Sequence, residues 1–353
     1  MKIAVLVSGG VDSSVALNLL KQQGHELTAF YLKIWLEDEL QYLGDCPWEE
    51  DLAFVEQVCK QADIPLEVMP LQREYFDTVV KYTINEVENG RTPNPDIMCN
   101  NHIKFGFFWD KVQADFDMVA TGHYAQTETL PNGKAVLKQA PDPIKDQTYF
   151  LCNLRQDQLQ KITFPIGHLS KAEVRQLAGD FDLPNKDRKD SQGICFLGKF
   201  KFSEFVEHYL GKKPGDILEF ETGQKIGEHD GFWYHTVGQR KGLGLSGGPW
   251  FVVKKDTAAN IIYVSKNYHD EDKVRNQVYV KDFNWFQGQA PSETEFKVKL
   301  RHGENFHDGK LELTGENSGI IHLAEDDQGI AAGQFAAFYK DDLCLGSAVI
   351  SNE

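Results

Sequence analysis

The chain has 353 residues, 41% hydrophobic and 25% charged. That length suits two or three domains with substantial cores, and the composition excludes wholesale disorder. With 37 Lys+Arg against 53 Asp+Glu the formal net charge is −16, which argues against non-specific nucleic-acid binding through bulk charge.

Lys2–Val7 reads as a buried strand, because it is apolar, β-branched and followed at once by glycines. Asp12–Gln23 carries apolar residues at helical spacing, with Gly24 placed as a C-cap. Leu27–Leu32 is predicted as a strand, 49–61 as a helix, Ile64–Met69 as a strand, Gln72–Glu88 as a helix and Phe116–Thr121 as a strand. This alternation implies a parallel sheet covered on both faces. Thr92–Asn100 holds Pro93 and Pro95, so it is expected to be a stiff, non-helical loop presenting Asp96 and Cys99.

Beyond residue 200 the texture changes. A short helix is predicted over 202–209. Short β-prone runs follow at 233–237, 250–253, 261–264, 277–280, 295–301, 309–313, 319–323 and 334–339, and their close spacing suggests a small barrel. The expected fold is α/β: an N-terminal parallel-sheet nucleotide-binding domain over 1–198, a small mainly β domain over 199–271 and a C-terminal β-barrel over 272–353. Residues 181–260, with 12 basic and 11 acidic groups, are the least acidic stretch and leave room for a local basic patch.

No apolar run approaches the roughly 20 residues that span a bilayer. Met1–Val7 leads into a strand with no cleavable apolar segment, so a cytoplasmic protein without membrane association is expected. Six cysteines with no Cys-x-x-Cys pair are too few for a disulfide scaffold and weaken a zinc-ribbon reading. No protein-held metal is expected.

Ser8-Gly9-Gly10-Val11-Asp12-Ser13-Ser14 lies between the first strand and the first helix. Adjacent glycines let backbone approach a ligand closely, and the helix start offers unpaired N–H groups and a positive dipole end. That combination is an anion site suited to phosphates. It lacks the Gly-Lys-Ser/Thr of a Walker A loop and the Gly-x-Gly-x-x-Gly of a dinucleotide fold. The loop resembles the pyrophosphate loop of the ATP pyrophosphatases, which split ATP between the α and β phosphates and activate a carbonyl oxygen as an adenylate.

Cys59, Cys152 and Cys344 sit in apolar patterns and read as buried small hydrophobes; Cys46 is ambiguous. Cys195, in Asp190-Ser191-Gln192-Gly193-Ile194-Cys195-Phe196, follows the run Lys186-Asp187-Arg188-Lys189. Nearby cations lower a thiol pKa, which matters because a reference value of about 8.5 leaves roughly 3% thiolate at pH 7.

Pro93-Asn94-Pro95-Asp96 with Cys99-Asn100, the Cys195 segment and the phosphate loop together resemble the tRNA-specific 2-thiouridylase family. Further matches are Ala120–Ala125, Lys145–Leu151, Phe164–Gly167 with Lys171–Arg175, and Thr236–Gly244. The resemblance implies ATP on Leu6, Val7, Ser8, Gly9, Gly10, Val11, Asp12, Ser13 and Ser14, with Leu32 and Gly122 around the adenosine. It implies Asp96 as general acid/base at the target base and Cys195 as carrier of a persulfide. Cys99 is then the partner that forms a disulfide with Cys195 as sulfur leaves. Asn94, Pro95 and Asp96 would contact the base, and His123, Lys145, Asp146, Gln147, Arg301, His302 and Gln334 the tRNA. Family members commonly have tyrosine where this chain has His302.

The implied reaction adenylates C2 of the wobble uridine in a tRNA anticodon and replaces the oxygen by persulfide sulfur, which attacks either directly or as hydrosulfide freed by Cys99, releasing AMP and pyrophosphate. ATP is a substrate, Mg²⁺ its companion, and a cysteine desulfurase or sulfur-relay protein the donor; a monomer is expected. The chemistry is coherent, because a uracil oxygen is a very poor leaving group until adenylation makes it AMP. Two rival readings make different demands. An adenylating enzyme acting on a small carboxylate would need no paired cysteines, and a non-catalytic tRNA-binding or nucleotide-sensing module would release no AMP.

Overall fold

The computed structural model describes residues 1–34, 48–189, 202–267, 275–327 and 329–352. β1 (Lys2–Leu6), α1 (Val11–Gln22), β2 (Glu26–Lys33), α2 (Trp48–Gln61) and β3 (Leu66–Pro70) open the chain. β1 is buried on both faces because its side chains alternate between two cores. Ile3 and Val5 pack with Leu17, Leu20, Val55 and Val58, while Ala4 and Leu6 pack with Val79, Ile103 and Phe108.

The helix predicted over 72–88 forms as one continuous element, α3. It comprises Gln72–Tyr75, a π-turn at Phe76–Val80 and Lys81–Glu88. The 92–100 segment departs from expectation. Pro95 occupies the first helical position, where its missing N–H is not needed, and Asn94 caps the helix by accepting the Ile97 N–H at 3.2 Å. α4 therefore runs from Pro95–Met98 through a π-helical stretch, Cys99–Phe107, into Phe108–Val112. Asp96 and Cys99 stand on a helix instead of a loop.

β4 (Met118–Ala120) pairs with β1, and β5 (Gln126–Thr129) and β6 (Ala135–Lys138) form a hairpin that the sequence pattern did not disclose. Two single-turn helices follow, α5 (Thr148–Leu151) and α6 (Gln156–Leu159), then β7 (Ile162–Thr163) and α7 (Lys171–Asp180). The five-stranded sheet is parallel, in the order β3-β2-β1-β4-β7. The direction of winding reverses between β1 and β4, and a crevice at that switch point, beyond the carboxyl ends of the strands, is where such sheets bind ligands.

α8 (Phe202–Leu210) leads to β8 (Gly215–Glu219), β9 (Lys225–His229), β10 (Phe251–Asp256) and β11 (Ile261–Ser265), a small sheet in the order β10-β11-β8-β9. The strand predicted over 233–237 is instead a 3₁₀ turn, Phe232–Tyr234. Gly231, at φ +149°, bends the chain there, and Phe232 and Trp233 both pack into the same core instead of alternating across a sheet.

The chain closes on β12 (Gln277–Trp285), β13 (Glu295–Lys299), β14 (His307–Gly315), β15 (Ser318–Leu323), β16 (Phe335–Lys340) and β17 (Leu343–Ile350). Their antiparallel order is β12-β15-β14-β13-β16-β17, and β12 also pairs with β17, which closes a six-stranded barrel. β17 also pairs with β6 through Leu343↔Lys138 and Cys344↔Leu137, so a hairpin of the first domain extends the barrel sheet. Among the described residues no helix is long and apolar enough to cross a membrane.

Candidate active site

β1 ends against the switch point, and the chain turns there through Gly9, at φ +76°. A Cβ on Gly9 would lie 2.6 Å from the Asp51 carbonyl oxygen, so both backbone conformation and space require glycine. Ser13 and Ser14 stitch the loop to itself. Ser13 Oγ accepts the Ser8 N–H at 3.2 Å and donates to the Gly10 carbonyl at 3.1 Å, while Ser14 Oγ donates to that same carbonyl at 3.0 Å. From across the crevice Asn185 donates to the Gly9 carbonyl at 2.8 Å and to Ser14 Oγ at 2.9 Å; Arg188 also donates to Gly9 and pairs with Asp51. Gly122, just past β4, forms the opposite wall: a Cβ there would fall 2.6 Å from the Ser13 backbone nitrogen. Leu32 lies near the end of β2, packed against the larger core. The result is a rigid backbone cradle at the first turn of α1, built to take an anion.

Asn185, Arg188, Asp51, Tyr124 and Lys171 support this cradle and were missed from sequence. Tyr124 and Lys171 lie in the matched segments Ala120–Ala125 and Lys171–Arg175, without a role assigned to them, and Arg188 lies in the basic run at 186–189, which pointed elsewhere, toward Cys195. Arg188 is occupied by the nucleotide loop, and Lys186 is paired with Asp182 at 2.6 Å. Cys195, its segment 190–196 and Cys46 lie outside the described residues.

Cys99 is 1% exposed, and burial pushes its thiol up to about 11, against the opposing charge of Lys104. Lys104 donates to Asn100 Oδ1 at 2.8 Å. Its charge, after burial, also helps push His123 well below the ordinary histidine range, so that ring is neutral at pH 7. His123 bonds Thr121 Oγ1 through Nδ1 at 2.8 Å and lies edge-on to Phe164. Gly122 and His123 are consecutive, and the His123 ring lies 6.3 Å from that of Phe105, so the wall of the loop meets the helical stretch that carries Cys99. Cys59, Cys152 and Cys344 are buried, as their apolar contexts predict.

Asp96 is half-buried in the first turn of α4. Its charge acts on His302, which comes from the barrel and lies with its ring centroid 4.6 Å from that of Phe150; burial, foremost, lowers the pKa of that histidine. Gln334 joins the same region from the barrel. Its Nε2 donates to the carbonyls of Thr92 and Pro93 at 3.1 and 2.7 Å, and its Oε1 accepts from Asn94 at 3.2 Å and Tyr149 at 3.3 Å. Both ends of that amide thus hold the start of α4.

Asp146 is likewise engaged within the protein. Its side chain is fully buried, 3.3 Å from the equally buried Lys299 of the barrel, and it accepts from Thr148 and the Ala140 N–H. A carboxylate so enclosed ties the segment that carries it to the barrel. Its neighbours differ: Lys145 is half-buried, and Gln147 accepts the Tyr124 N–H at 2.9 Å. Arg301 is half-exposed and bidentate on Asp327 at 2.8 and 2.7 Å.

A parallel sheet with a Ser-Gly-Gly-Val-Asp-Ser-Ser cradle at its switch point, followed by two β modules, defines an adenine-nucleotide-binding enzyme of the pyrophosphate-loop class. Residues 1–199 match a family model described as the tRNA methyl transferase HUP domain, 203–266 the PRC-barrel domain of the same set, and 275–350 an aminomethyltransferase β-barrel domain. The chain is 49% identical to a tRNA-specific 2-thiouridylase of Parabacteroides distasonis, over 100% of this chain and 99% of that protein. It is 50% identical to another of that name from Bacteroides fragilis, over 99% of this chain and all of that one. The chain belongs to the tRNA-specific 2-thiouridylase family.

Proposed function

We propose that this enzyme converts the wobble uridine of tRNA to 2-thiouridine, using ATP to activate C2 and a cysteine persulfide as the sulfur source. The observation that carries the reading is continuity. The Gly9–Ser14 cradle lies against Gly122, Gly122 precedes His123, and the His123 ring lies 6.3 Å from that of Phe105, on the same helical stretch as Cys99. That continuity supports a nucleotide in the cradle working together with Cys99.

Asp96 is suited to take the N3 proton of the uridine while O2 attacks the α-phosphorus; the O2–P bond forms and the bond to pyrophosphate breaks. Terminal persulfide sulfur on Cys195 then attacks C2, and AMP departs with the oxygen. Cys99 attacks Cys195 Sγ, which breaks the S–S bond, leaves sulfur on C2 and forms a Cys99–Cys195 disulfide that an external thiol must reduce. Burial of Cys99 suits this order, because a thiol kept protonated until the site opens does not discharge the persulfide early. Mg²⁺ would enter with the triphosphate and shield its charge. The persulfide comes from a cysteine desulfurase or relay protein, the enzyme acts as a monomer in the cytoplasm, and the boundaries near residues 198 and 271 separate its three modules.

Nucleoside mass spectrometry of tRNA incubated with the protein, ATP-Mg²⁺ and sulfide tests the function. A product heavier than uridine by the oxygen-to-sulfur exchange, dependent on ATP, is expected; unmodified tRNA would refute it. Cys195→Ser should block thiolation from a protein sulfur donor while leaving tRNA-dependent AMP–uridine formation, and retained thiolation would refute its role as carrier.

A further inference from the structure

Asp12, in the first turn of the helix behind the nucleotide loop, is where two side chains meet. Tyr124 Oη donates to Asp12 Oδ1 at 2.9 Å, and Lys171 Nζ donates to the same oxygen at 2.7 Å. Lys171 also lies over the Tyr124 ring, 5.8 Å from its centroid. The pair is mostly buried, with the lysine side chain 16% and the aspartate 30% exposed, so solvent screens it little.

Both donors are tied by their backbones to one segment, 142–147. Gln147 Oε1 accepts the Tyr124 N–H at 2.9 Å, and the Gln147 N–H returns a bond to the Tyr124 carbonyl at 2.9 Å. Asp142 Oδ2 accepts the Lys171 N–H at 3.2 Å, in the first turn of α7 where backbone donors point out of the helix. Asp142 Oδ1 meanwhile accepts the N–H groups of Ile144 and Lys145 at 3.2 and 3.3 Å, which stiffens the segment. Segment 142–147 thus reaches Asp12 by two separate routes, one through Tyr124 and one through Lys171.

We infer that Tyr124 and Lys171 are positioning residues that make segment 142–147 and the nucleotide loop one mechanical unit, so that tRNA held on that segment and ATP held in the cradle strengthen each other's binding. With phosphates at the start of α1, as the proposed function has them, the Asp12 carboxylate in that first turn would repel them if it were left without a cation. Lys171 neutralises that charge and Tyr124 fixes its direction. RNA resting on Lys145 and Gln147 holds both donors in place. Thermodynamic reciprocity requires the same factor in each direction. The inference rests on the tRNA-modifying reading above.

The test uses the full chain, substrate tRNA and a non-hydrolysable α,β-methylene ATP analogue, with the affinity of each measured in the absence and presence of the other. Wild type is expected to show mutual tightening of at least about fivefold, the lower end of ordinary coupling. Tyr124→Phe removes only the hydroxyl, and Lys171→Met keeps the stem but loses the charge. Each should bring the tightening below about twofold in both directions, and Lys171→Arg should restore most of it. A merely structural role would alter folding without abolishing coupling in a folded variant. Wild-type tightening below twofold, or undiminished tightening in folded Tyr124→Phe and Lys171→Met, overturns the inference. Unmodified tRNA in the mass-spectrometric assay would instead sink the function itself, so the two failures are distinguishable.

Discussion

Gly122→Ala is the sharpest perturbation of the nucleotide cradle. Ala fits the backbone there, because Gly122 is not among the residues with positive φ, so the effect is steric alone. The new Cβ would lie 2.6 Å from the Ser13 nitrogen and 2.8 Å from the Asp12 carbonyl carbon, whereas ordinary contact begins at 3.4 Å. The first turn of α1 must retreat by the difference, 0.8 Å, or Gly122 must move as far the other way. A misplacement approaching 1 Å at a catalytic group costs on the order of 100-fold in rate, and overpacking costs about 1–3 kcal/mol of stability. Pyrophosphate release with saturating tRNA should therefore fall by about two orders of magnitude while the circular dichroism spectrum stays native. Gly179→Ala, inside α7 with nothing within 4 Å of the new methyl, is the control; it should preserve activity and raise stability by up to about 1 kcal/mol. If Gly122→Ala releases pyrophosphate at the wild-type rate, the cradle is not where the triphosphate binds.

Lys299→Met leaves the buried Asp146 carboxylate uncompensated and should cost about 3–5 kcal/mol in urea unfolding; adding Asp146→Asn should recover a large part, and equal losses in single and double variants would refute a direct pair. Gln334→Ala strips the Thr92 and Pro93 carbonyls of a donor and Asn94 of an acceptor. Thiolation should slow markedly at saturating tRNA with little change in tRNA affinity; the reverse pattern would restore it as an RNA contact. Burial depresses Lys255 to about 8, while its amine donates to the His235 carbonyl at 3.1 Å. Between pH 8 and about 10.4 the unfolded chain then holds the extra proton, so this group's contribution makes stability rise with pH. The urea midpoint of wild type relative to Lys255→Met should climb across that window, and a flat difference would refute the shift.

What residue order alone determined was local and chemical. The apolar β-branched run before paired glycines specified β1 and its anion-binding turn, since both follow from side-chain burial and backbone freedom within a dozen residues. The order of motifs likewise carried family and reaction, because those residue types serve one chemistry wherever the chain puts them. Tertiary structure decided the rest. Pro95 could be read as breaking a helix or beginning one, and only the Asn94 cap and the Gln334 amide behind it settle the matter. Arg188, Lys171 and Tyr124 look like any surface cation or core aromatic until α7 and β4 bring them to the nucleotide loop. Asp146 shares a motif with Lys145 and Gln147, yet pairing with Lys299 from 153 residues away withdraws it from solvent. Contacts between residues so distant depend on how whole domains dock, and no periodicity or spacing within a segment encodes that.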